Sequence, residues 1–379
     1  MTTGQVIAAT ARLWLKRGSP WMARAKRELT AFSPQMVELG LRELFADITA
    51  NVEELERCET PCPTLHASRS TVCHILSGNL PNPGVVSIIV GLLSGARNVV
   101  KPATGDPMPA LFMKSLAVVD SKLAKRVMLT ADREQYRRVG VVVAYGNDET
   151  LAKLRRNVGG ASVPRRNRRT KRSRGAEAPP TFFDFGHRVS IGVVDFLHSK
   201  IQNPKSKITT AAARDASMWD QQGCMSPQCF FVRGDAAAFA EALAEEMEAF
   251  DCRRPRAELS FEDAAAIARA RNEWSFRGRV WASKGSTHWT VVLDERGGWV
   301  PSPLNRFVFV RPISLLAKLR HSKIQNPKSK ISTVGFAGFS PKEAVAMAQA
   351  DRYCSLGEMQ RPLLLLTNGS RLRVGDLMI

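Results

Sequence analysis

The segment CHILSGNLPNPGVVSIIVGLLSGARNVVKP, residues 73–102, indicates the fold class most clearly. Its first apolar run, 73–76, predicts a strand, and the following loop is rich in glycine and proline. The apolar stretch 85–93, which stops before Gly95, predicts a helix, and 98–101, closed by a proline, predicts the next strand. Strand, turn, helix and strand in this order indicate a parallel α/β sheet.

The same alternation continues along the chain. Helices are expected at 113–123, 209–218, 235–250 and 261–274, and strands at 139–145, 189–194, 289–293 and 307–310. After the strand 139–145, the chain turns at Gly146 and Asn147 into another helix, with Asp148 as its expected cap. Such turns often hold a nucleotide, but no GxGxxG fingerprint is present, so the pattern alone names no dinucleotide.

The two ends of the chain are expected to be helical. Ser33 and Pro34 form an N-cap and first-turn pair, and a helical stripe follows that predicts packing surface: Val37, Leu41, Leu44, Phe45 and Ile48. Near the other end, a helix is expected from Pro341 to the turn at 356–358.

Composition indicates a globular protein with two domains or one large α/β domain with extensions. The 379 residues are 44% hydrophobic and 24% charged. The longest apolar stretch, 85–96, is too short to span a bilayer, and no signal-peptide core is present, so we expect a cytoplasmic location. The seven cysteines form an odd, irregular set that indicates reduced thiols, and Cys58, Cys62, Cys73 and His74 match no usual zinc spacing. We therefore predict no metal site.

The net charge of +20 is concentrated in three segments. The stretch 165–174 carries seven positive charges, and the peptide HSKIQNPKSKI occurs twice, at 198–208 and 321–331, with three lysines in each copy. We interpret all three as solvated loop insertions, because loops tolerate added length. The alternative is a docking site for nucleic acid or acidic partners, which predicts steeply salt-dependent binding. We do not expect nucleic acid to be a partner.

One cysteine has the surroundings of a nucleophile. In DQQGCMSPQ, residues 220–228, Cys224 follows a glycine in a polar turn, just ahead of the apolar run 229–232. A reacting cysteine needs a thiolate and a turn that lets a carbonyl approach, whereas structural cysteines more often lie inside apolar runs.

Six stretches in this order resemble the long-chain acyl-CoA reductases of bacterial luciferase operons and their non-luminous relatives. This LuxC-like family is a branch of the aldehyde dehydrogenase superfamily. The matching stretches are SGNLPNPG (77–84), GLLSGARNVVKPATGDP (91–107), VVVAYGNDET (141–150), GHRVSIGVV (186–194), DQQGCMSPQ (220–228) and LGEMQRPLLLL (356–366).

The resemblance implies an aldehyde-dehydrogenase-like α/β fold, with a Rossmann-like cofactor domain and an α/β catalytic domain. We expect an N-terminal helical segment at 1–73 and a cofactor domain at 74–215, with loop insertions near 165–178 and 198–208. The catalytic domain would be 216–340, with Cys224 and the loop insertion 321–331, followed by a C-terminal segment, 341–379.

By the same resemblance, Cys224 would accept the acyl group from an acyl-CoA or acyl-protein thioester, and hydride from a nicotinamide would release a fatty aldehyde. Asn79 matches the asparagine whose amide, together with the backbone N–H of Cys224, would bind the oxyanion. An Asx turn is the alternative for Asn79. Where aldehyde-oxidising relatives have a glutamate in an ELGG segment, GHRVS stands here. His187 would protonate the aldehyde oxygen, or else only donate a hydrogen bond to a local carbonyl.

The resemblance also implies the cofactor residues. Lys101 matches the lysine that holds the adenosine ribose or its phosphate, with a plain surface lysine as the alternative. Thr104 stands where NAD-preferring relatives often carry an acid, so NADPH is the expected donor and NADH the alternative. Gly146 and Asn147 match the turn that approaches the pyrophosphate.

Competing functions remain open at this point. An acyltransferase or thioesterase would use the same cysteine without hydride, and a non-catalytic dehydrogenase scaffold would use its basic loops for interaction. The expected partners are the acyl donor, an acyl-protein synthetase and further copies of the chain in a homo-oligomer. The second and third insertions leave open whether this chain is fully active.

Overall fold

The structure, a computed structural model, describes residues 1–59, 71–132, 139–158, 180–197, 205–319, 331–361 and 364. These residues fall into two compact units. The first unit lies within 1–21, 45–187 and 364, and the second lies within 22–44 and 188–361.

The N-terminal region is helical, as predicted: α1 (Thr3–Leu15), α2 (Pro20–Glu28) and α3 (Pro34–Glu59). The expected start of α3 is confirmed, because the hydroxyl of Ser33 accepts a hydrogen bond from the backbone N–H of Met36 (3.3 Å). The predicted apolar stripe of this helix is completely buried: Val37, Leu41, Leu44, Phe45 and Ile48. Burial of this stripe, rather than helix propensity, stabilises α3.

The first unit contains a parallel sheet of five strands among the described residues, in the order β3-β2-β1-β4-β5. The strands are β1 (Thr71–Ile75), β2 (Arg97–Lys101), β3 (Val127–Leu129), β4 (Val141–Tyr145) and β5 (Thr181–Phe185). The helices between them are α4 (Asn82–Leu93), α5 (Met108–Val119), α6 (Ser121–Ala124) and α7 (Asp148–Val158). The chain runs outward from β1 to β3 and returns to β4 on the other side of β1. The gap between the loops after β1 and β4 is therefore a switch point, where such sheets bind ligands.

The centre of this sheet contains a buried histidine. His74 of β1 lies between the hydroxyl of Ser87 on α4 (2.7 Å from Nδ1) and the side-chain oxygen of Asn98 on β2 (2.9 Å from Nε2). Burial lowers the pKa of His74 to about 4. The ring is therefore neutral at pH 7, and its hydrogen bonds join two strands and a helix. Cys73 is buried beside it, so both serve the core.

The second unit contains a sheet of seven strands among the described residues, in the order β12-β11-β6-β7-β10-β9-β8. The strands are β6 (Val189–Asp195), β7 (Pro227–Arg233), β8 (Arg279–Ala282), β9 (Thr290–Leu293), β10 (Phe307–Pro312), β11 (Ile331–Ala337) and β12 (Ala350–Ser355). The helices are α8 (Lys205–Ser217), α9 (Ala236–Arg253), α10 (Phe261–Ser275), α11 (Leu316–Leu319) and α12 (Pro341–Met347). β8 joins its neighbour antiparallel, and the other pairings are parallel. An apolar cluster lies on each face of the sheet, as in other α/β folds.

The units divide the chain at positions that differ from the expected domain boundaries. The expected boundary after residue 215 is wrong, because β6 pairs with β7 and β11 and therefore belongs to the second unit. The helix expected from Pro341 to the turn at 356–358 is also wrong in its second half. There α12 ends at Met347, and β12 then pairs with the exposed edge of β11. Pairing with β11 makes a strand of residues 350–355, although the alanine-rich stretch just before them favours a helix.

The two copies of HSKIQNPKSKI do not end as loops. In the first copy, residues 205–208 form the beginning of α8, where Ile208 is buried. In the second copy, Ile331 is the first residue of β11 and is also buried. The prediction of solvated insertions is wrong for these residues, because each isoleucine packs into an apolar cluster. The rest of both copies, and the whole stretch 165–178, lies outside the described residues.

Candidate active site

Cys224 lies in an exposed turn between the short 3-10 segment Met218–Gln221 and the strand β7. The neighbouring Cys229, inside β7, is buried, and burial raises its pKa to about 12. Burial likewise raises the pKa of Cys354 to about 11. Among the cysteines whose exposure the structure describes (Cys73, Cys224, Cys229, Cys252 and Cys354), only Cys224 and Cys252 are exposed, and Cys252 lies within the regular helix α9 rather than a turn. Exposure and turn geometry together therefore favour Cys224 as the nucleophile.

The backbone just before Cys224 has an unusual conformation. Trp219, Asp220 and Gln221 have φ angles of 51°, 51° and 64°, in the left-handed region that non-glycine residues avoid. Each such residue costs about 1 kcal/mol, so the surroundings must compensate. Part of that compensation comes from the buried Trp219 ring, which packs so closely on Gly40 that a Cβ atom there would lie 1.9 Å from its Cζ2. The backbone N–H of Trp219 also donates to the sulfur of Met36 (3.2 Å).

A second left-handed run stands beside the first. Leu304, Asn305 and Arg306, just before β10, have φ angles of 63°, 57° and 63°. Side-chain hydrogen bonds connect the two runs and the residues that directly follow them. The amide of Gln222 donates to Asn305 Oδ1 (2.7 Å), and the side-chain oxygen of Gln221 accepts from the backbone N–H of Phe307 (2.9 Å).

A buried arginine makes the strongest link between the two runs. The guanidinium of Arg306 is completely buried and pairs with Asp220 at 2.7 Å. It also donates to Asp251 (2.6 Å) and to the carbonyl of Arg254 (2.9 Å). Burial raises the pKa of Asp220, and the positive charge of Arg306 opposes that shift. Breaking such a pair leaves a buried charge without its partner, so both runs are firmly held.

Side chains from two strands and one loop hold the turn itself. The hydroxyl of Ser190 on β6 donates to the carbonyl oxygen of Cys224 (2.7 Å). Arg352 on β12 donates to the sulfur of Met225 (3.4 Å), and the amide of Gln360 donates to the hydroxyl of Ser226 (2.6 Å). Each of the three residues from Cys224 to Ser226 is therefore held by a side chain from a different part of the second unit.

The loop that contains Gln360 is anchored by a buried carboxyl. Asp215 near the end of α8 accepts hydrogen bonds from the backbone N–H groups of Gly357 (2.6 Å) and Met359 (3.1 Å). Burial raises the pKa of Asp215 to about 7, although these donors and Arg214 act in the opposite direction. The LGEMQ motif at 356–360 therefore supports the turn that contains Cys224, a role that the sequence did not reveal.

In the first unit, the expected cofactor residues follow the carboxyl ends of the strands. Lys101 is the last residue of β2 and is half-buried, whereas Thr104 lies exposed in the turn that follows. The loop after β1 approaches this turn closely, because a Cβ atom on Gly78 would lie 2.9 Å from Ala103 Cβ. Gly78 therefore allows the two loops at this edge to meet.

The turn after β4 corrects the expected helix cap. The side-chain oxygen of Asn147 accepts a hydrogen bond from the backbone N–H of Thr150 (2.8 Å), so Asn147 rather than Asp148 caps α7. Gly146 precedes it at the end of β4. The N-terminus of α7 thus stands at the switch point, and Glu149 in its first turn is paired with Lys153 (2.6 Å).

The two remaining predicted site residues are exposed. Asn79 follows β1, and its side-chain oxygen accepts a hydrogen bond from the hydroxyl of Ser77 (2.7 Å), as in a local polar turn. His187 lies between β5 and β6. Both belong to the first unit and Cys224 to the second, so the roles of Asn79 and His187 stay predictions.

Comparison with known proteins identifies the family. The family model described as acyl-CoA reductase (LuxC) matches residues 63–362. The chain belongs to the LuxC family. This finding confirms the resemblance based on the six stretches.

Individual relatives of the LuxC family agree with this assignment. The chain is 25% identical over 310 residues to the long-chain acyl-protein thioester reductase of Photorhabdus luminescens. The matched region covers 75% of this chain and 57% of that protein. It is 26% identical over 267 residues to the enzyme of the same name from Aliivibrio fischeri, covering 64% and 48%. The chain therefore spans about half the length of the curated relatives it matches.

Solved structures identify the fold. The NAD-dependent benzaldehyde dehydrogenase of Corynebacterium glutamicum superposes with a TM-score of 0.67 at 12% identity, covering 93% of this chain and 80% of that chain. The glyceraldehyde-3-phosphate dehydrogenase GapN of Methanocaldococcus jannaschii, solved with NADP, gives 0.66 at 10% identity, with coverages of 93% and 80%. These values confirm that this LuxC-family chain has the aldehyde-dehydrogenase-like α/β fold.

Two further observations concern the part of this LuxC-family chain that the structure describes. No helix there combines the length and apolar content that a bilayer crossing requires. The described side chains also bring no group of three histidine, cysteine, aspartate or glutamate residues together as metal ligands.

Three residues that hold the Cys224 turn or the backbone before it were missed from the sequence: Ser190, Arg306 and Gln360. Ser190 and Gln360 lie inside stretches that carry the family resemblance, which was the available signal. Arg306 lies in none of them. Its contact with Asp220 joins residues 86 positions apart, and no local pattern predicts such a pairing.

Proposed function

We propose that this chain reduces a long-chain acyl thioester to a fatty aldehyde, with Cys224 as the acyl acceptor. The observation that carries the proposal is the exposed Cys224 in a turn held by side chains from two strands and one loop, in a LuxC-family chain with an aldehyde dehydrogenase fold. An ordered turn around an accessible thiol is what nucleophilic catalysis requires.

The acyl transfer would proceed by thioester exchange. The thiolate of Cys224 attacks the carbonyl carbon, the bond to the donor's sulfur breaks, and the donor leaves as a thiolate that takes up a proton. The acyl group then remains on Cys224 as a thioester. Since one thioester replaces another, the step is nearly balanced in energy. The side-chain amide of Asn79 and the N–H of Cys224 are the expected donors to the oxyanion.

The residues at the edge of the first sheet fit a nicotinamide dinucleotide. The parallel sheet presents a switch point, α7 begins there after Gly146 and Asn147, and Lys101 offers a cation. No carboxylate stands at Thr104 to repel a 2′-phosphate, which favours NADPH over NADH. When bound, NADPH supplies the hydride that converts the acyl thioester into aldehyde and thiol. His187 would supply or order the accompanying proton.

The acyl donor is a thioester of CoA or of a protein. The relatives in Photorhabdus and Aliivibrio are named as acyl-protein thioester reductases, which favours a protein-bound donor and an acyl-protein synthetase as partner. The family description names acyl-CoA instead. The two donors present the same carbonyl and leaving sulfur to Cys224, so one chemistry serves both.

The decisive experiment is intact-protein mass spectrometry after mixing with a series of acyl-CoAs of increasing chain length. We expect an adduct of the acyl mass that disappears on addition of NADPH, with stoichiometric aldehyde. Cys224→Ala should abolish the adduct. The matched control is Cys252→Ala, since Cys252 is also exposed.

The other outcomes separate the competing functions. An adduct that buffer alone discharges would indicate a thioesterase, and one discharged only by an acceptor nucleophile would indicate an acyltransferase. Absence of any adduct, together with absence of NADPH binding, would leave a non-catalytic scaffold. An adduct that persists in Cys224→Ala would refute the assigned nucleophile.

A further inference from the structure

One buried hydroxyl connects Cys224 to the interior of the second sheet. Ser190, the second residue of β6, is completely buried. Its Oγ donates to the carbonyl oxygen of Cys224 (2.7 Å) and accepts from the backbone N–H of Thr333 on β11 (3.0 Å). A serine hydroxyl has one donor and two acceptor sites, so a single atom satisfies both backbone groups.

The strand pairing around Ser190 is irregular on both sides of β6. On one side of β6, Ser190 pairs with Pro227 and Ile191 already pairs with Cys229, so the register shifts by one residue. On the other side the register shifts between Ile331 and Val334 of β11. Extra residues on both neighbouring strands interrupt the regular backbone pairing here. The Ser190 hydroxyl fills this interruption with hydrogen bonds that the ladder does not supply.

We propose that Ser190 is a positioning residue for the nucleophile. Its hydrogen bond holds the peptide group between Cys224 and Met225, and the backbone of Cys224 in turn sets the direction of the Cα–Cβ bond that bears the thiol. Two of the other contacts to the turn are made to the side chains of Met225 and Ser226, one and two residues further on. The Ser190 bond is made to the backbone of Cys224 itself. The inference rests on the proposed function, because it assumes that this thiol reacts.

The cost of losing this bond follows from catalytic geometry. A reacting atom displaced by about 1 Å can lose about 100-fold in rate, even though binding of the substrate elsewhere is unchanged. We therefore expect Ser190→Ala to lower the maximal rate of acyl-enzyme formation by about 10- to 100-fold. The acyl-CoA concentration that gives half of this rate should change less than about twofold, because Ser190 is buried and contacts the turn rather than substrate.

Ser115 provides a matched control. Its hydroxyl is also completely buried, also donates to a backbone carbonyl (Phe112, 2.7 Å) and also accepts from an N–H (Trp14 Nε1, 2.9 Å). It belongs to the first unit. Ser115→Ala should lower the melting temperature to a similar extent as Ser190→Ala, while its acylation rate stays within about twofold of the wild type.

The experiment measures single-turnover acylation with a reactive acyl-CoA by mass spectrometry, and in parallel the alkylation rate of Cys224 by iodoacetamide, located by peptide mapping. Ser190→Ala should slow acylation as stated and alkylation by at least about threefold. A wild-type acylation rate in Ser190→Ala, or an equal loss in Ser115→Ala, would overturn the positioning role. If the wild type accepts no acyl group, the proposed function fails, and unchanged alkylation of Ser190→Ala would then refute the role of Ser190 separately.

Discussion

At the scale of single residues, burial gives two cysteines different chemical properties. Cys224 and Cys229 are close in sequence, yet one lies exposed in a turn and the other lies inside β7 with a pKa of about 12. A thiol with such a pKa carries no thiolate at neutral pH, so Cys229 is inert there. The sequence already indicated this difference, because Cys224 directly follows a glycine in a polar turn.

Gly91 of α4 shows how much a single missing atom can matter. A Cβ atom there would lie 1.9 Å from Asn98 Oδ1 and 2.8 Å from Nε2 of the buried His74. An alanine normally improves a helix interior relative to glycine, by about 1 kcal/mol. Here we expect the opposite, since Gly91→Ala should lower the free energy of unfolding by about 2 kcal/mol through overpacking. Urea denaturation measures the change.

Gly140 serves as the control for this substitution. It lies in the same unit, and a Cβ atom there would have only the carbonyl oxygen of Thr71 within reach, at 4.0 Å. Gly140→Ala should change the free energy of unfolding by less than about 0.5 kcal/mol. If Gly91→Ala is as stable as Gly140→Ala, the close packing of α4 against Asn98 is incorrect.

At the scale of elements, the packing of β1, α4 and β2 depends on a neutral histidine. His74 has a pKa of about 4 in the fold, against 6.5 when solvated, because of its burial. Between pH 6.5 and 4, His74 is mostly protonated in the unfolded chain and mostly neutral in the folded chain. The stabilisation by neutral His74 is therefore complete above pH 6.5 and is lost as the pH falls toward 4.

We expect the free energy of unfolding to fall by about 3 kcal/mol between pH 6.5 and 4 on account of His74. Comparison of wild type with His74→Gln at each pH isolates this contribution. The same comparison separates the contribution of His74 from that of Asp215. The raised pKa of Asp215 makes the free energy of unfolding fall as the pH rises from about 4 to 7. His187→Gln, which alters an exposed histidine, should follow the wild-type profile. Parallel profiles for wild type and His74→Gln would show that His74 titrates normally.

Elements with strong local patterns were predictable, and those formed by distant pairing were not. The stripe of α3, its Ser33 cap and the strands near 139–145 and 189–194 appear as the sequence indicated. β12 was missed, because its residues, Ala350–Ser355, follow an alanine-rich stretch and have no alternating apolar pattern, so only pairing with β11 makes them a strand.

At the scale of the whole molecule, cofactor binding should stabilise the folded chain by mass action. A nucleotide at about 100 times its dissociation constant adds about 2.7 kcal/mol. Since Thr104 offers no negative charge at the expected 2′-phosphate position, we expect NADPH to raise the melting temperature more than the same concentration of NADH. Thr104→Glu should reverse this order, and the uncharged Thr104→Gln should keep it. Equal shifts with both nucleotides in the wild type would refute the NADPH preference.

Much of the α/β alternation, the candidate nucleophile Cys224 and the family resemblance were readable from the chain alone, because they depend on local spacing and on short motifs. The switch point, the pairing of Arg306 with Asp220 and the bond from Ser190 to Cys224 depended on the folded state. The repeated peptide shows the reason. Identical residues end in a helix at Ile208 and in a strand at Ile331, so contacts distant in sequence, rather than local preference, chose the conformation.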